Sequence, residues 1–258
     1  MSEQSLPDGF RELPAEEQRR IRESGRAILD LAYRHTGHII ISSTPAANSP
    51  FNSASCFLLK LEERIFLVTA EHVLEETEKL LKDDPTLKWQ VGQLVFDPRE
   101  RISFREVKTD RLFLLLRLTE VAQTGLPVLS AAAGWPTPTL KPGDYVAVAG
   151  FPAYMRERLS AAAIQFDCMT GIHRVTTVGA AYCVCQWERE EYITLRGSGA
   201  PPVGTELGGM SGGPVLKIGA IAFPVVGLVS QFHTDFELLR IATFDDIPLE
   251  KLSSVMLK

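Results

Sequence analysis

Short apolar segments separated by turns dominate the chain beyond residue 36. The segments are rich in β-branched and aromatic residues, and the turns are rich in Gly, Pro, Asn and Asp, which is typical of strands. The pattern predicts an antiparallel sandwich or barrel, because a βαβ fold would need a helix between successive strands. The predicted strands are residues 38–42, 56–61, 64–69, 93–96, 112–118, 145–150, 182–187, 215–216 and 225–230.

Helical periodicity is confined to three segments. Residues 14–35 begin with Pro14, which suits the first turn of a helix, and their apolar residues recur at helical spacing (Ile21, Ile28, Leu31 and Ala32). The first half of this segment is strongly charged, so we expect it to be solvated. Residues 70–82 and 247–257 complete the predicted helices.

A segment with three prolines, residues 131–143, separates two halves of similar size. We therefore predict an N-terminal helical extension over residues 1–35 and a first β-unit over residues 36–130. After the linker at 131–143 come a second β-unit over residues 144–245 and a C-terminal helix over residues 246–258.

Composition narrows the range of functions. The 258 residues are 45% hydrophobic with a net charge of −5, which argues against a nucleic-acid partner, since a basic patch would be expected. No apolar run approaches the ~18 residues of a membrane span, and the amino terminus lacks the features of a secretory signal. The cysteines show no metal-ligand spacing and are interpreted as reduced thiols (Cys56, Cys168, Cys183 and Cys185). We expect a cytoplasmic protein with no cofactor, metal or membrane partner.

Residues 208–214, which read GGMSGGP, are the most distinctive segment of the chain. Glycine permits positive φ and close backbone approach. Several glycines around Ser211 can therefore direct N–H groups at one point beside its hydroxyl. Acyl transfer needs this combination of a nucleophile and donors for the developing oxyanion. Taken alone, the segment is equally compatible with a Gly-rich hairpin that holds an incidental serine.

His72 stands where the predicted strand 64–69 meets the predicted helix 70–82. A histidine at the end of an element can be held in one tautomer while its other nitrogen faces a cleft, as a general base requires. A lone histidine in this setting is more often structural. The order Thr-Ala-Glu-His, followed by the serine segment about 140 residues later, favours a joint role for His72 and Ser211.

On these residues the chain resembles the trypsin-like (chymotrypsin-fold) serine peptidases, especially their compact prokaryotic members. The resemblance covers about residues 36–245 and is carried by residues 55–59, 68–73, 150–152, 209–214 and 227–230. It implies an all-β fold of two six-stranded antiparallel β-barrels with the active site between them. The first barrel would carry His72 and the second Ser211.

The resemblance also implies a role for each site residue. His72 is expected to act as the base and Ser211 as the nucleophile, and the backbone N–H groups of Gly209 and Ser211 would form the oxyanion hole. In trypsin-type zymogens the position of Met210 is an aspartate that pairs with a newly cut amino terminus. Methionine cannot form that ion pair, so the oxyanion hole is expected to be either preformed or organised by another trigger.

The carboxylate that would orient His72 has two alignments. One places Asp110 before the apolar strand, where the family has its aspartate. The other shifts the strand by two residues and places Leu112 there, which leaves no carboxylate. We favour Asp110, because a carboxylate that orients the base raises the rate by orders of magnitude. A bulge in the strand would reconcile both alignments. Without Asp110 the site would be a Ser–His dyad, weakly active or inactive.

The resemblance also predicts substrate-binding residues, from their positions along the sequence relative to Ser211. Thr205 is expected near the floor of the main specificity pocket, and the residues after Gly227 along its wall, where they would pair with an extended substrate (Ser230, Gln231 and Phe232). Phe232 stands where trypsin-like enzymes keep glycine, which predicts a restricted pocket.

We therefore predict a serine endopeptidase that hydrolyses protein or peptide substrates through an acyl-enzyme. We expect a regulatory partner, an inhibitory segment or substrate binding to control it. Helix 14–35 is the candidate regulatory element, with simple packing against a barrel as the alternative. A pseudo-peptidase that only binds a peptide or partner is the alternative function. An α/β-hydrolase would need the histidine after the serine, which the order here opposes.

Overall fold

The structure is a computed structural model that describes residues 15–43, 52–131, 134–160, 163–187, 201–219 and 223–253. Across these residues the helices are α1 (Ala15–His35), α2 (Glu71–Leu80), α3 (Leu118–Thr124) and α4 (Leu249–Ser253). The strands of the first half are β1 (Gly37–Ser42), β2 (Asn52–Leu61), β3 (Arg64–Thr69), β4 (Lys88–Val91), β5 (Leu94–Phe96), β6 (Ile102–Glu106), β7 (Arg111–Leu116) and β8 (Val128–Ser130). The strands of the second half are β9 (Tyr145–Gly150), β10 (Arg156–Ser160), β11 (Ala163–Phe166), β12 (Met169–Val178), β13 (Tyr182–Gln186), β14 (Pro214–Lys217), β15 (Val225–His233) and β16 (Leu238–Thr243).

The first half of the chain forms one eight-stranded sheet. Seven strands follow the order β5–β4–β1–β2–β3–β7–β6, each antiparallel to its neighbours, and β8 joins β2 in parallel. Every residue of β7 is buried, as are all residues of β3 after Arg64. The strands that lead into α2 and out of the turn at Asp110 therefore lie in the middle of the core.

Six strands of the second half close into an antiparallel barrel in the order β12–β13–β16–β15–β14–β9. Alternate residues of these strands are buried in its apolar interior, as the two-residue period of a strand requires (Val146, Val148, Cys183, Cys185, Leu239 and Ile241). The predicted all-β, two-barrel trypsin-like fold is confirmed. Its first unit is the larger eight-stranded sheet, and its second is the six-stranded barrel.

Helix α1 packs the second half of its length against the barrel. Ile28, Leu29 and Ala32 share one helix face and are fully buried, and α1 contacts β9, β12 and β14. At the other end of the helix, Ala15 and the described charged side chains are exposed. The helix predicted over 14–35 is confirmed from Ala15 onward, and the exposure of the described side chains in its first half agrees with their charge. Pro14 lies outside the described residues.

Helix α3 was not predicted, because Leu118 was assigned to the end of an apolar strand. Pairing of β7 with β3 stops at Leu116, and the N–H of Arg117 then donates to Glu120 Oε2 at 2.8 Å. This hydrogen bond from the N-cap backbone to the third helical side chain caps the start of a helix. Leu118 is 76% exposed, so this apolar residue is not part of a buried strand.

The remaining differences concern shorter or more polar elements. The helices predicted over 70–82 and 247–257 are present as the shorter α2 and α4, and residues 254–258 lie outside the described part. Seven strands were missed (β4, β6, β8, β10, β11, β12 and β16). Several of them are short or carry charged and hydroxyl side chains, which hide the strand period.

All four cysteines are free thiols (Cys56, Cys168, Cys183 and Cys185). Within the described residues, no helix is both long and apolar enough to cross a lipid bilayer. Across the same residues, no cluster of His, Cys, Asp or Glu side chains is arranged to hold a metal ion.

Candidate active site

His72 is positioned by the junction of β3 and α2. The chain is still extended at Ala70 (φ −73°, ψ 142°) and turns into the helix at Glu71. His72 Nδ1 lies 3.0 Å from both carboxylate oxygens of Asp110, and the backbone N–H of His72 donates to Asp110 Oδ1 at 2.9 Å. An ionised carboxylate only accepts hydrogen bonds, so Nδ1 carries the proton and the neutral ring presents Nε2 as an acceptor.

Asp110, rather than Leu112, lies beside His72. A 3₁₀ turn over Val107–Thr109 ends at Asp110, which adopts the left-handed conformation (φ 59°, ψ 47°) that aspartate tolerates better than most residues. Leu112 is fully buried and pairs with Thr69 in the sheet. The pairing of β7 with β3 shows no register shift; the shift near this site lies between β6 and β7.

Ser230 connects Asp110 to Ser211. Its hydroxyl donates to Asp110 Oδ2 at 2.6 Å, and its carbonyl oxygen accepts a hydrogen bond of 3.1 Å from Ser211 Oγ. Ser211 Oγ therefore donates to Ser230 and not to His72 Nε2. Ser230 belongs to β15 of the barrel, so the site is assembled from both halves of the chain. Its hydrogen bond to Asp110 was not foreseen, since Ser230 was predicted only as a substrate contact.

The glycines around Ser211 are required by close backbone contacts. Gly209 and Gly212 have φ of +95° and +89°, values that side-chain-bearing residues rarely adopt. A Cβ on Gly212 would lie 2.1 Å from Ser55 O, and one on Gly213 would lie 1.8 Å from Ala149 O. The loop is thus pressed against both β2 and β9.

Ser55 makes four hydrogen bonds, and two of them anchor the serine loop. Its N–H donates to Ser211 O at 2.9 Å, and its hydroxyl donates to Gly209 O at 2.7 Å while accepting from the Phe151 N–H at 2.8 Å. Its carbonyl accepts from Thr69 Oγ1 at 2.8 Å. The sequence offered one signal for this role, since Ser55 begins a segment that carries the family resemblance.

Two backbone N–H groups of the serine loop have no acceptor among the described residues. The amides of Met210 and Gly212 donate to Leu207 O at 3.1 Å and Val229 O at 2.7 Å. Those of Gly209 and Ser211 donate to no acceptor in the part of the chain that the structure describes. This alternation leaves two donors available to a bound oxygen atom.

Met210 is held by packing. Its side chain is 1% exposed within the apolar interior of the barrel. A Cβ on Gly150 would lie 2.9 Å from Met210 Cα, so β9 contacts the loop backbone directly. Apolar packing thus anchors the loop at this position.

The charges of the site and its burial have opposite effects on the pKa values of His72 and Asp110. Burial lowers the pKa of His72, but the hydrogen bond and charge of Asp110, together with the charges of Glu76 and Glu71, leave this pKa above its ordinary value. Burial raises the pKa of Asp110, but hydrogen bonds from His72 and Ser230 leave it below its ordinary value. The ionised carboxylate of Asp110 therefore favours the imidazolium that forms when His72 takes up a proton.

The predicted pocket residues differ in exposure. Gln231 is exposed, and Phe232 is half-buried with its ring edge-on to Trp187 at 5.5 Å between centroids. Trp187 is 2% exposed and lies against the buried ring of His173, with centroids 4.5 Å apart. Thr205 is half-buried in the segment before the serine loop. Phe232 thus joins an aromatic row that extends into the barrel.

Comparison with solved structures identifies the fold. The crystal structure of the active form of the Rv3671c protease from M. tuberculosis matches with a TM-score of 0.50, at 14% identity over 91% of this chain and 87% of that chain. The chain has the trypsin-like (chymotrypsin) protease fold. Two further structures with lower TM-scores are serine protease AL20 from an extremophilic microorganism and the protease Anisep from Arthrobacter nicotinovorans. The first has a TM-score of 0.43 at 14% identity, over 82% of this chain and 91% of that chain. The second has a TM-score of 0.43 at 11% identity, over 82% of this chain and 90% of that chain.

No protein-family model and no curated protein matches the sequence. The trypsin-like fold is therefore established by structure, and the chemistry of the site is argued from its own residues.

Proposed function

We propose that the protein is a serine endopeptidase that hydrolyses peptide bonds through an acyl-enzyme. The observation that carries the proposal is the His72–Asp110 pair, with both nitrogen-to-oxygen distances at 3.0 Å, joined through Ser230 to the hydroxyl of Ser211. A serine among glycines has no structural need for an oriented histidine, whereas a nucleophile does.

In the proposed reaction Ser211 Oγ attacks the scissile carbonyl while His72 Nε2 removes its proton. Asp110 keeps the imidazole in the required tautomer and stabilises the imidazolium. The free N–H groups of Gly209 and Ser211 bind the oxyanion of the tetrahedral intermediate. His72 then protonates the leaving amine, and water hydrolyses the acyl-enzyme in the reverse sequence of proton transfers. The chemistry needs no cofactor.

The attack requires one rotation. Ser211 Oγ donates to the Ser230 carbonyl, and we propose that a rotation about χ1 directs it towards His72 Nε2 when substrate binds. Apo structures often show such loose catalytic hydrogen bonds that tighten only when substrate binds. An extended substrate that pairs with β15 would donate to the Ser230 carbonyl in its place. We therefore assign Ser230, Gln231 and Phe232 to substrate binding, with Thr205 near the pocket floor.

The orientation of Ser211 also supports a second candidate, a pseudo-peptidase that uses the cleft to bind a peptide or partner. A fluorophosphonate probe, which reacts only with an activated serine, distinguishes the two. We expect labelling of the native chain and its loss in Ser211→Ala and His72→Ala. A folded native chain that is not labelled, with or without candidate peptide present, would favour the binding role.

Regulation belongs to the same proposal. Met210 is packed in the barrel core and has no charge to pair with a new amino terminus. The N–H groups of Gly209 and Ser211 have no acceptor within the described part of the chain. We propose a preformed hole controlled by a partner protein or by substrate. Cytoplasmic location is proposed on the four free thiols, which fit a reducing compartment.

The predicted division of the chain is kept as part of the proposal. The first sheet ends with β8 at Ser130, and the barrel begins with β9 at Tyr145. These limits support a linker over 131–143 between units at 36–130 and 144–245, flanked by the helical segments 1–35 and 246–258.

A further inference from the structure

The carboxyl-terminal end of β6 contacts the two segments that carry the active-site pair, helix α2 with His72 and the turn with Asp110. Arg105 and Glu106 are its last two residues, and they pair with Leu112 and Arg111 of β7. Successive side chains of a strand point to opposite faces. The two charged side chains can therefore reach different elements from one short segment of backbone.

Arg105 holds the helix that carries His72. Its Nε donates to Glu71 Oε1 at 2.8 Å, and its two terminal nitrogens bind both oxygens of Glu78 at 2.9 and 2.8 Å. Glu71 immediately precedes His72 and is 1% exposed, so its carboxylate depends on this partner. Because Glu71 and Glu78 lie two turns apart on α2, one guanidinium group restrains both the position and the rotation of the helix.

Glu106 holds the turn that carries Asp110. Its Oε2 accepts hydrogen bonds from the hydroxyl of Thr109 and from Arg111, whose Nε lies 3.1 Å away. Thr109 and Arg111 are the two neighbours of Asp110. Since Asp110 adopts a left-handed conformation that residues other than glycine rarely occupy, restraint on both sides supports it.

Arg111 extends this restraint to the barrel. It is 1% exposed and donates to Thr243 O at 2.7 Å and to Asp246 Oδ2 at 2.9 Å. Thr243 ends β16, which pairs with β15, the strand of Ser230. The cation therefore fixes the Asp110 turn relative to the half of the chain that supplies Ser211 and Ser230.

We infer that Arg105 and Glu106 are positioning residues for His72 and Asp110: they act through Glu71, Thr109 and Arg111 to hold the base and its carboxylate in register. The inference rests on the proposed function, since only a catalytic pair would need such alignment. A purely structural role would predict lost stability with unchanged chemistry in the molecules that remain folded.

The test compares Arg105→Gln and Glu106→Gln with a matched control, Arg101→Gln. Arg101 binds Glu120 at 2.7 Å, and these side chains are only 16% and 12% exposed, so the control removes a partly buried ion pair of the same kind just before β6. Three measurements on the full chain are compared. They are the melting temperature, the downfield proton resonance of His72 Nδ1–H, and the rate of fluorophosphonate labelling with kcat and KM on a peptide.

We expect each test variant to lower the labelling rate and kcat about 100-fold, the cost of a displacement near 1 Å, with KM nearly unchanged and the resonance shifted or broadened. Arg101→Gln should lose comparable stability but keep the native resonance and rate. Native resonance and rate in folded Arg105→Gln and Glu106→Gln would overturn the inference.

Two further comparisons cover the cases in which a variant does not fold or the native chain is not labelled. If a glutamine variant does not fold, Arg105→Lys and Glu106→Asp should show the same changes in smaller measure; native behaviour in both would refute the positioning role. If the native chain shows no Ser211-dependent labelling, the proposed function fails. The His72 resonance still decides whether Arg105 and Glu106 align the pair.

Discussion

Ser230 Oγ lies 2.6 Å from Asp110 Oδ2, which joins the barrel to the turn before β7 through a hydrogen bond to an ionised group. His72 contacts the same carboxylate through its ring and its backbone N–H. Asp110 thus accepts from three donors supplied by both halves of the chain. This arrangement explains why its pKa is depressed despite its burial.

Ser230→Ala tests this hydrogen bond. A bond to a charged group contributes about 1.5 to 3 kcal/mol, so we expect the free energy of unfolding at pH 7 to fall by about that amount. The folded pKa of Asp110 lies below its unfolded value, so its contribution is present above the unfolded pKa and is lost as pH falls. The destabilisation measured by urea unfolding should therefore shrink between pH 7 and pH 3.

Ser103→Ala is the matched control for that measurement. Ser103 is also buried, but its hydroxyl donates to a neutral acceptor, Leu252 O, at 3.0 Å. Its loss should cost stability equally at both pH values. A pH-independent loss in Ser230→Ala as well would show that Asp110 gains nothing from Ser230.

Asp110→Asn tests the role of the carboxylate in labelling. The base form of His72 is needed, so the native rate should rise with pH through a pKa above the ordinary value. Asparagine removes the charge that raises this pKa, and the acid limb of the profile should move to lower pH. The maximal rate should fall by about 10⁴-fold, because the histidine tautomer is no longer fixed.

Asp144→Asn serves as the control for that profile. Asp144 binds Lys217 at 2.7 Å on the barrel, so its neutralisation changes the net charge equally but leaves His72 untouched. The acid limb should stay in place. A shift of equal size in both variants would attribute the effect to net charge rather than to the Asp110 contact.

The sequence predicted the fold class because apolar strands of period two and Gly-Pro turns are local signals. It also singled out His72, Ser211 and the glycines around Ser211, since a close backbone approach requires glycine and glycines are visible in the sequence. Asp110 stayed ambiguous between two alignments. Its placement depends on a left-handed residue after a 3₁₀ turn, and no local pattern specifies that conformation for aspartate.

Other contacts could not be predicted because they join distant parts of the chain. The hydroxyl of Ser230 meets Asp110 across 120 positions, and Arg111 meets Asp246 across 135. In the sequence, no motif distinguishes Arg105 and Glu106 from the other charged residues of the chain. Their partners become evident only once β6 is paired with β7 and α2 is packed beside it.

Gly212→Ala tests the close approach of the serine loop, with Gly204→Ala as its control. Both glycines have positive φ, +89° and +79°, so both alanines should cost about 1 to 2 kcal/mol for the backbone alone. Only at Gly212 would the new Cβ meet Ser55 O, at 2.1 Å. Urea unfolding should therefore show an extra loss of about 1 to 3 kcal/mol for Gly212→Ala, together with loss of labelling. Equal losses would mean that the loop has room to move.

Phe232→Ala tests the restricted pocket. Phe232 lies two residues beyond Ser230, and its ring packs edge-on against Trp187, so truncation should open space beside Ser211. We expect native chain to cleave after small side chains, and Phe232→Ala to gain about 10-fold in kcat/KM for a leucine or phenylalanine at that position, the order of selectivity that a few methylene groups provide. Phe236→Ala is the control, since Phe236 is an aromatic residue of the next turn and is 71% exposed; it should leave the preference unchanged. An unaltered preference in Phe232→Ala would place the specificity pocket away from this ring.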